Sequence, residues 1–211
     1  MSTAGEPLGE LDVIRNRTRA AWDWLEETVA DVDAELANWW PPGTANSIGA
    51  SYLHVVINAD VELATLVAGR TPLLEGDWAG DVGQGPPYEA ELFDRWVRHQ
   101  PVDWAVLRRY GRAVHHAVVE LFDALTPDRL DLPVDMSRAG LGTWEARDLC
   151  YLHGLEHVRI HGGEIACVKG LRGGTGWPEP DAFRAAIVVI DVEPEAGGRS
   201  GSPGGGAAPS T

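Results

Sequence analysis

Seven histidines occur in the chain, and three of them share one run: Cys150-Tyr-Leu-His153-Gly-Leu-Glu-His157-Val-Arg-Ile-His161-Gly-Gly-Glu164. If this run is helical, a step of about 100° per residue puts His153, His157 and His161 at roughly 0°, 40° and 80°, with Glu164 near about 20° and Cys150 near about 60°. Five groups able to hold a metal or a proton then lie on one stripe. Imidazoles at i and i+4 stand about 6 Å apart along the axis, a spacing from which two rings converge on one ion. A mononuclear catalytic centre uses three protein ligands and keeps a position open, so a third ligand is expected from a facing helix. His54 is the best placed, heading a polar stripe of His54, Asn58 and Glu62 beside apolar Ala50, Ile57 and Val61. A divalent ion held by three neutral imidazoles keeps its charge, and it can polarise a carbonyl or lower the pKa of a bound water or thiol. A solvated helix face is the competing account of the same stripe. Cys150 has a simpler reading as a small buried hydrophobe, and His115 and His116 read as structural or solvated.

Four amphipathic helices are expected to position these groups. Leu11, Ile14, Ala21, Leu25, Val32 and Leu36 recur at helical steps, which predicts a first helix over 11–36, stopped before Pro41-Pro42-Gly43. Asn46-Ser47 offers an N-cap for a second helix over 47–68, with Gly69 as its stop. Asp103 starts a third, whose apolar face includes Trp104, Leu107, Tyr110, Val114, Val118 and Leu121. Thr143 is the expected N-cap of a fourth, which carries the histidine run and ends at Gly170. The Gly- and Pro-rich stretch 70–87 reads as a long loop, 88–98 as a short helix, 130–142 as irregular with room for short extended pieces, and 182–190 as a short packed segment. Residues 193–211 are mostly Gly, Ser, Pro and Ala and read as a disordered tail. The fold class is therefore all-α, a four-helix bundle with long linkers, its domain spanning 8–192.

Composition narrows the partners. Within 211 residues, 17 Lys and Arg stand against 32 Asp and Glu, a net charge of −15. That balance argues against nucleic acid and against an anionic membrane surface. No uninterrupted apolar stretch of about 18–20 residues is evident, and Met1–Leu11 is polar and acidic, so a cytoplasmic protein is expected. Two cysteines, Cys150 and Cys167, are too few for a disulfide framework or a thiolate zinc site.

The order of motifs resembles the DinB/YfiT-like superfamily of metal-binding four-helix bundles. Trp39-Trp-Pro-Pro-Gly-Thr-Ala-Asn-Ser-Ile-Gly49 enters the helix carrying His54, a long middle helix follows, and His157-Val-Arg-Ile-His161 closes the pattern. The resemblance covers residues 8–172 and makes His54, His157 and His161 the metal triad, leaving His153 unassigned. Gly162-Gly163-Glu164 stands where an Arg-Gly-Gln type of sequence is commonest in the family. The resemblance implies an enzyme related to bacillithiol- and mycothiol-dependent S-transferases and mycothiol-dependent maleylpyruvate isomerases. A low-molecular-weight thiol is then the cosubstrate, and the ion is zinc, with nickel, iron or manganese as alternatives. Glu164 and Tyr110 are the candidate catalytic residues; Arg108 and Asn58 are candidates for cofactor or substrate binding. Two other functions fit the same residues: a metal-dependent hydrolase, and a non-catalytic metal-binding stress or interaction protein. Pairing of apolar helix faces makes a homodimer a further expectation.

Overall fold

In a computed structural model, described over residues 8–82, 101–137 and 140–176, the chain forms an all-α four-helix bundle. Helix α1 spans Glu10–Thr28, a single turn α2 spans Ala34–Ala37, and α3 spans Ile48–Asn58 and runs on as a π-helix over Ala59–Val67. Helix α4 spans Trp104–Ala124. Strands β1 (Pro133–Asp135) and β2 (Thr143–Glu145) pair antiparallel, with Val134 opposite Trp144. The last rod has three parts: α5 (Ala146–Tyr151), a π-helical stretch over Leu152–Glu156, and α6 (His157–Leu171). Helices α1 and α3 each pack against both α4 and α6, so α1 and α3 occupy one diagonal of the bundle. Trp22, Tyr52, Tyr110, Phe122, Ile14 and Leu25 are among the largest fully buried side chains.

Local chemistry explains most of the boundaries. Ser47 accepts from the Ala50 N–H at 3.1 Å and Asp103 from Val106 at 3.1 Å, satisfying donors that a helix start leaves open. Gly69, at φ +64°, supplies the left-handed residue that lets the chain leave the α3 rod. The helix ends use distant partners instead, since α1, α4 and the π-helical end of α3 have no basic residue in their last turns. Lys169 Nζ donates to the Thr28 carbonyl at 2.7 Å, and Arg129 donates to Val67 at 3.0 Å. Arg15 donates to Phe122 at 2.7 Å and to Leu125 at 2.6 Å. Cations on neighbouring elements thus occupy the negative ends of three rods, where orphan carbonyls and the helix dipole favour them.

Several expectations change. The first helix stops at Thr28, not Leu36: Lys169 takes its terminal carbonyl, and Asp33 caps a new turn by accepting from Leu36 at 2.8 Å. Thr143 does not cap the fourth helix. It lies in β2, and the start falls to Glu145, whose side chain and that of Asp148 form a reciprocal capping box. The helix runs through Gly170 to Leu171, and the left-handed glycine is Gly173. The stretch 130–142 contributes β1 as one short extended piece, and its partner β2 follows directly in the chain. Ile48–Val67 is long and apolar enough to cross a membrane, contrary to the sequence expectation, yet 67% of its apolar window is buried in the bundle. The expected helix at 88–98, the segment at 182–190 and the tail at 193–211 lie outside the described residues.

Candidate metal centre

The polar stripe of α3 meets the histidine run of the last rod. His54, on the buried second helix, faces His157 and His161, which α6 presents one turn apart. The ring centroids are 4.6 Å apart for His54 and His157, 4.7 Å for His54 and His161, and 4.6 Å for His157 and His161. Three imidazoles therefore form a nearly equilateral triangle, the arrangement required for convergence on one point. Their ligand atoms all lie within 4.8 Å of one another, and Nε2 of His54 is 2.9 Å from Nε2 of His157. Tetrahedral bonds of about 2.1 Å place ligand nitrogens about 3.4 Å apart, inside that range, so the residues fit a single divalent ion. Among the described residues this is the one His, Cys, Asp and Glu cluster that assembles three such ligands.

The surroundings keep two of the rings, those of His54 and His157, neutral. Burial pushes the His54 pKa down to about 4, with His161 and His153 adding to the effect. Burial, then the neighbouring histidines His54, His161 and His153, push His157 down to about 2. Neutral imidazole is the metal-binding form, so at neutral pH no proton has to leave these rings. All three are partly accessible, with 16% of the His161 side chain exposed.

Two partners orient the ligands. Glu164 Oε2 lies 2.7 Å from His161 Nδ1; a carboxylate there holds the proton on Nδ1 and leaves Nε2 as the ligand atom. Asn58 Nδ2 lies 3.3 Å from His54 Nδ1, and rotation of the amide would offer its oxygen to an N–H instead. Both were singled out from sequence, and both stand beside the triad. Glu62, the third member of that stripe, lies in the π-helical stretch, where burial raises its pKa.

Tyr110 and Arg108 are placed differently. Tyr110 is fully buried, and its hydroxyl donates to Asp60 at 2.7 Å. The same carboxylate accepts from the N–H groups of Leu73 at 2.9 Å and Leu74 at 2.8 Å, which ties the loop after α3 into the core. Arg108 pairs with Glu26 at 3.1 Å and lies over the rings of Tyr52 and Trp104. Glu26 also accepts from the Tyr52 hydroxyl, giving a mostly buried cluster shared by α1, α3 and α4. Cys150 is buried, and that burial pushes its thiol up to about 12, which leaves it unreactive at neutral pH. His115 stacks on Trp22, and His116 is exposed on the outer face of α4.

Sequence spacing did not reveal the two π-helical stretches. One begins directly after Asn58 and the other ends directly before His157, so each flanks a ligand-bearing segment. Wide turns of this kind recur at functional sites, and they shift the phase of the rods that carry the ligands.

Fold and site together define a four-helix bundle with a three-histidine centre between two rods. The family model described as DinB superfamily matches residues 17–165, a span that includes the triad, Asn58 and Glu164. The chain belongs to the DinB superfamily. No curated protein and no solved structure matches it.

Proposed function

We propose that the protein is a metal-dependent enzyme that transfers or isomerises a substrate with the help of a low-molecular-weight thiol of the mycothiol type. The observation that carries this reading is the triangle of three partly accessible imidazoles with spacings of 4.6–4.7 Å. Three ligands are the protein complement of a catalytic centre; a closed structural zinc site uses four. A divalent ion bound there, zinc in the first instance, supplies Lewis acidity that holds a thiol as thiolate at neutral pH.

The chain's residues do the rest. His54, His157 and His161 hold the ion, Glu164 keeps the His161 proton on Nδ1, and Asn58 steadies the His54 ring. Glu164 is 52% exposed, so it is also placed to exchange a proton with a bound substrate, a general-base role. In this reading Tyr110 and Arg108 support the bundle around the centre from inside: Tyr110 fastens the 73–74 loop through Asp60, and Arg108 braces Tyr52 two residues before His54. The reading places the protein in the cytoplasm, where reduced thiols are supplied and where Cys150 and Cys167 stay free. It requires no nucleic acid or membrane, and it leaves room for a homodimer.

The test starts with metal content after purification without a metal-affinity tag. One ion per chain, lost in His157→Ala, is expected. Thiol conjugation to monochlorobimane is then measured with and without chelator, using mycothiol, bacillithiol and glutathione. Turnover that needs both thiol and metal supports the transferase. Metal-dependent hydrolysis of an activated ester without any thiol would assign a hydrolase, and bound metal with neither activity would assign a binding protein.

A further inference from the structure

His153 is not part of the triad, yet it is built into its surroundings. It lies in the π-helical stretch one turn before His157, and it is 8% exposed. Its ring meets that of His157 edge to face, with centroids 5.4 Å apart and planes at 90°. Nδ1 of His153 and Nδ1 of His157 are both buried, and neither has a hydrogen-bond partner. Buried polar atoms without partners are costly, and two of them on touching rings point to one shared solution.

The needs of a ligand histidine supply the direction. A neutral imidazole that binds through Nε2 carries its proton on Nδ1, and that N–H requires an acceptor to hold the ring in place. His161 has Glu164 and His54 has Asn58. His157 is the ligand left without one. We infer that His153 is the positioning residue for His157, its Nδ1 lone pair receiving the hydrogen bond of the His157 Nδ1–H through one buried water that bridges the two nitrogens. The inference rests on the reading of His54, His157 and His161 as metal ligands. An imidazole that carries its proton on Nε2 has a bare Nδ1, which is what the role needs. The π-helical stretch carries His153 and joins α6 at His157, so the local backbone sets the approach of the two rings.

Another buried orphan oxygen lies close by and provides a control. Thr18 Oγ1, on α1, lies 3.3 Å from where a Cβ on Gly154 would stand. Thr18→Val removes that oxygen at nearly constant shape. If the effect were general to polar groups around this turn, it would appear in this variant too.

The experiment measures Zn(II) affinity of the full chain by competition with a chromophoric chelator at pH 7.5, for wild type, His153→Leu, His153→Gln and Thr18→Val. Loss of a ligand's hydrogen-bonding partner costs roughly 10–100-fold in metal affinity. That loss is expected for His153→Leu, with most of it recovered in His153→Gln, whose amide oxygen still accepts, and none in Thr18→Val. Long-range 1H–15N spectra of the Zn(II)-loaded wild type are expected to show His157 protonated on Nδ1, with slow solvent exchange, and a His153 Nδ1 without a proton. This second readout does not depend on any variant folding. Equal affinities across the series, or a His157 bound to metal through Nδ1, would overturn the inference while leaving the triad intact. A wild-type chain that binds no Zn(II) would remove the triad reading itself, and this inference with it.

Discussion

Burial holds two imidazoles of the centre, His54 and His157, and their neighbour His153 in the neutral form, and that has a consequence for the metal-free chain. In the unfolded state these histidines titrate near the ordinary value of about 6.5. In the folded state burial lowers His54 and His153 to about 4 each and His157 to about 2. As pH falls below about 6.5 the unfolded chain therefore takes up protons that the folded chain refuses, and stability is lost progressively through the window down to about pH 4. Urea unfolding of the chelator-treated protein at pH 7.5 and 5.5, above the range where ordinary carboxylates titrate, should show a lower midpoint at 5.5. His157→Gln should flatten that dependence; an unchanged slope would mean that the rings are not desolvated as described. Glu164 has a separate signature. Its carboxylate is 52% exposed, so Glu164→Ala should leave metal-free stability nearly unchanged while weakening Zn(II) binding roughly 10–100-fold through loss of the His161 hydrogen bond.

Helix packing brings those residues to their positions, and the glycine pair after His161 shows how closely. A Cβ on Gly162 would overlap the Trp24 ring of α1, whereas a Cβ on Gly163, the next residue, would meet nothing within 4 Å. Gly162→Ala should therefore destabilise the bundle by about 1–3 kcal/mol through overpacking, with a shift in tryptophan emission as Trp24 is displaced. Gly163→Ala should stabilise it by about 0.5–1 kcal/mol, because only the entropy cost of a helical glycine is removed. Equal effects of the two substitutions in chemical denaturation would contradict this contact between α1 and α6. The pair also marks how far sequence reaches. Ser47, Asp103 and Gly69 were legible because caps and stops act on their own helix. His157 and His161 were legible as a pair because i and i+4 groups share a face whatever the tertiary structure, and His54 because its stripe is polar beside an apolar one. The early end of α1 was not legible, since it depends on Lys169, 141 residues away. Nor were the π-helical stretches, because apolar periodicity does not distinguish a widened turn from a regular one. Tyr110 read as an apolar-face residue and a catalytic candidate; its partner Asp60, 50 residues distant, became evident only in the fold.

At the scale of the whole molecule, the centre is also a potential cross-link. His54 and His157 are 103 residues apart in the chain, and the ion they would share with His161 joins α3 to α6, two rods already packed along one side of the bundle. An ion that binds the folded chain and not the unfolded one stabilises it by about 2.7 kcal/mol when present at 100 times its dissociation constant. A chain with a net charge of −15 offers a rival explanation, because any cation relieves self-repulsion in the folded state. The two accounts separate cleanly by ligand preference. Imidazole nitrogen suits zinc and its transition-metal neighbours, whereas magnesium demands oxygen ligands and keeps its waters. Urea unfolding at pH 7.5 in 0.15 M salt, where exposed charges are already screened beyond about 8 Å, should therefore show a rise in midpoint with Zn(II) and none with an equal concentration of Mg(II). His54→Ala should abolish the Zn(II) effect while altering the net charge by nothing at this pH. Equal stabilisation by both ions, or a Zn(II) effect that survives in His54→Ala, would assign the gain to bulk charge and leave the triangle of histidines without a thermodynamic role.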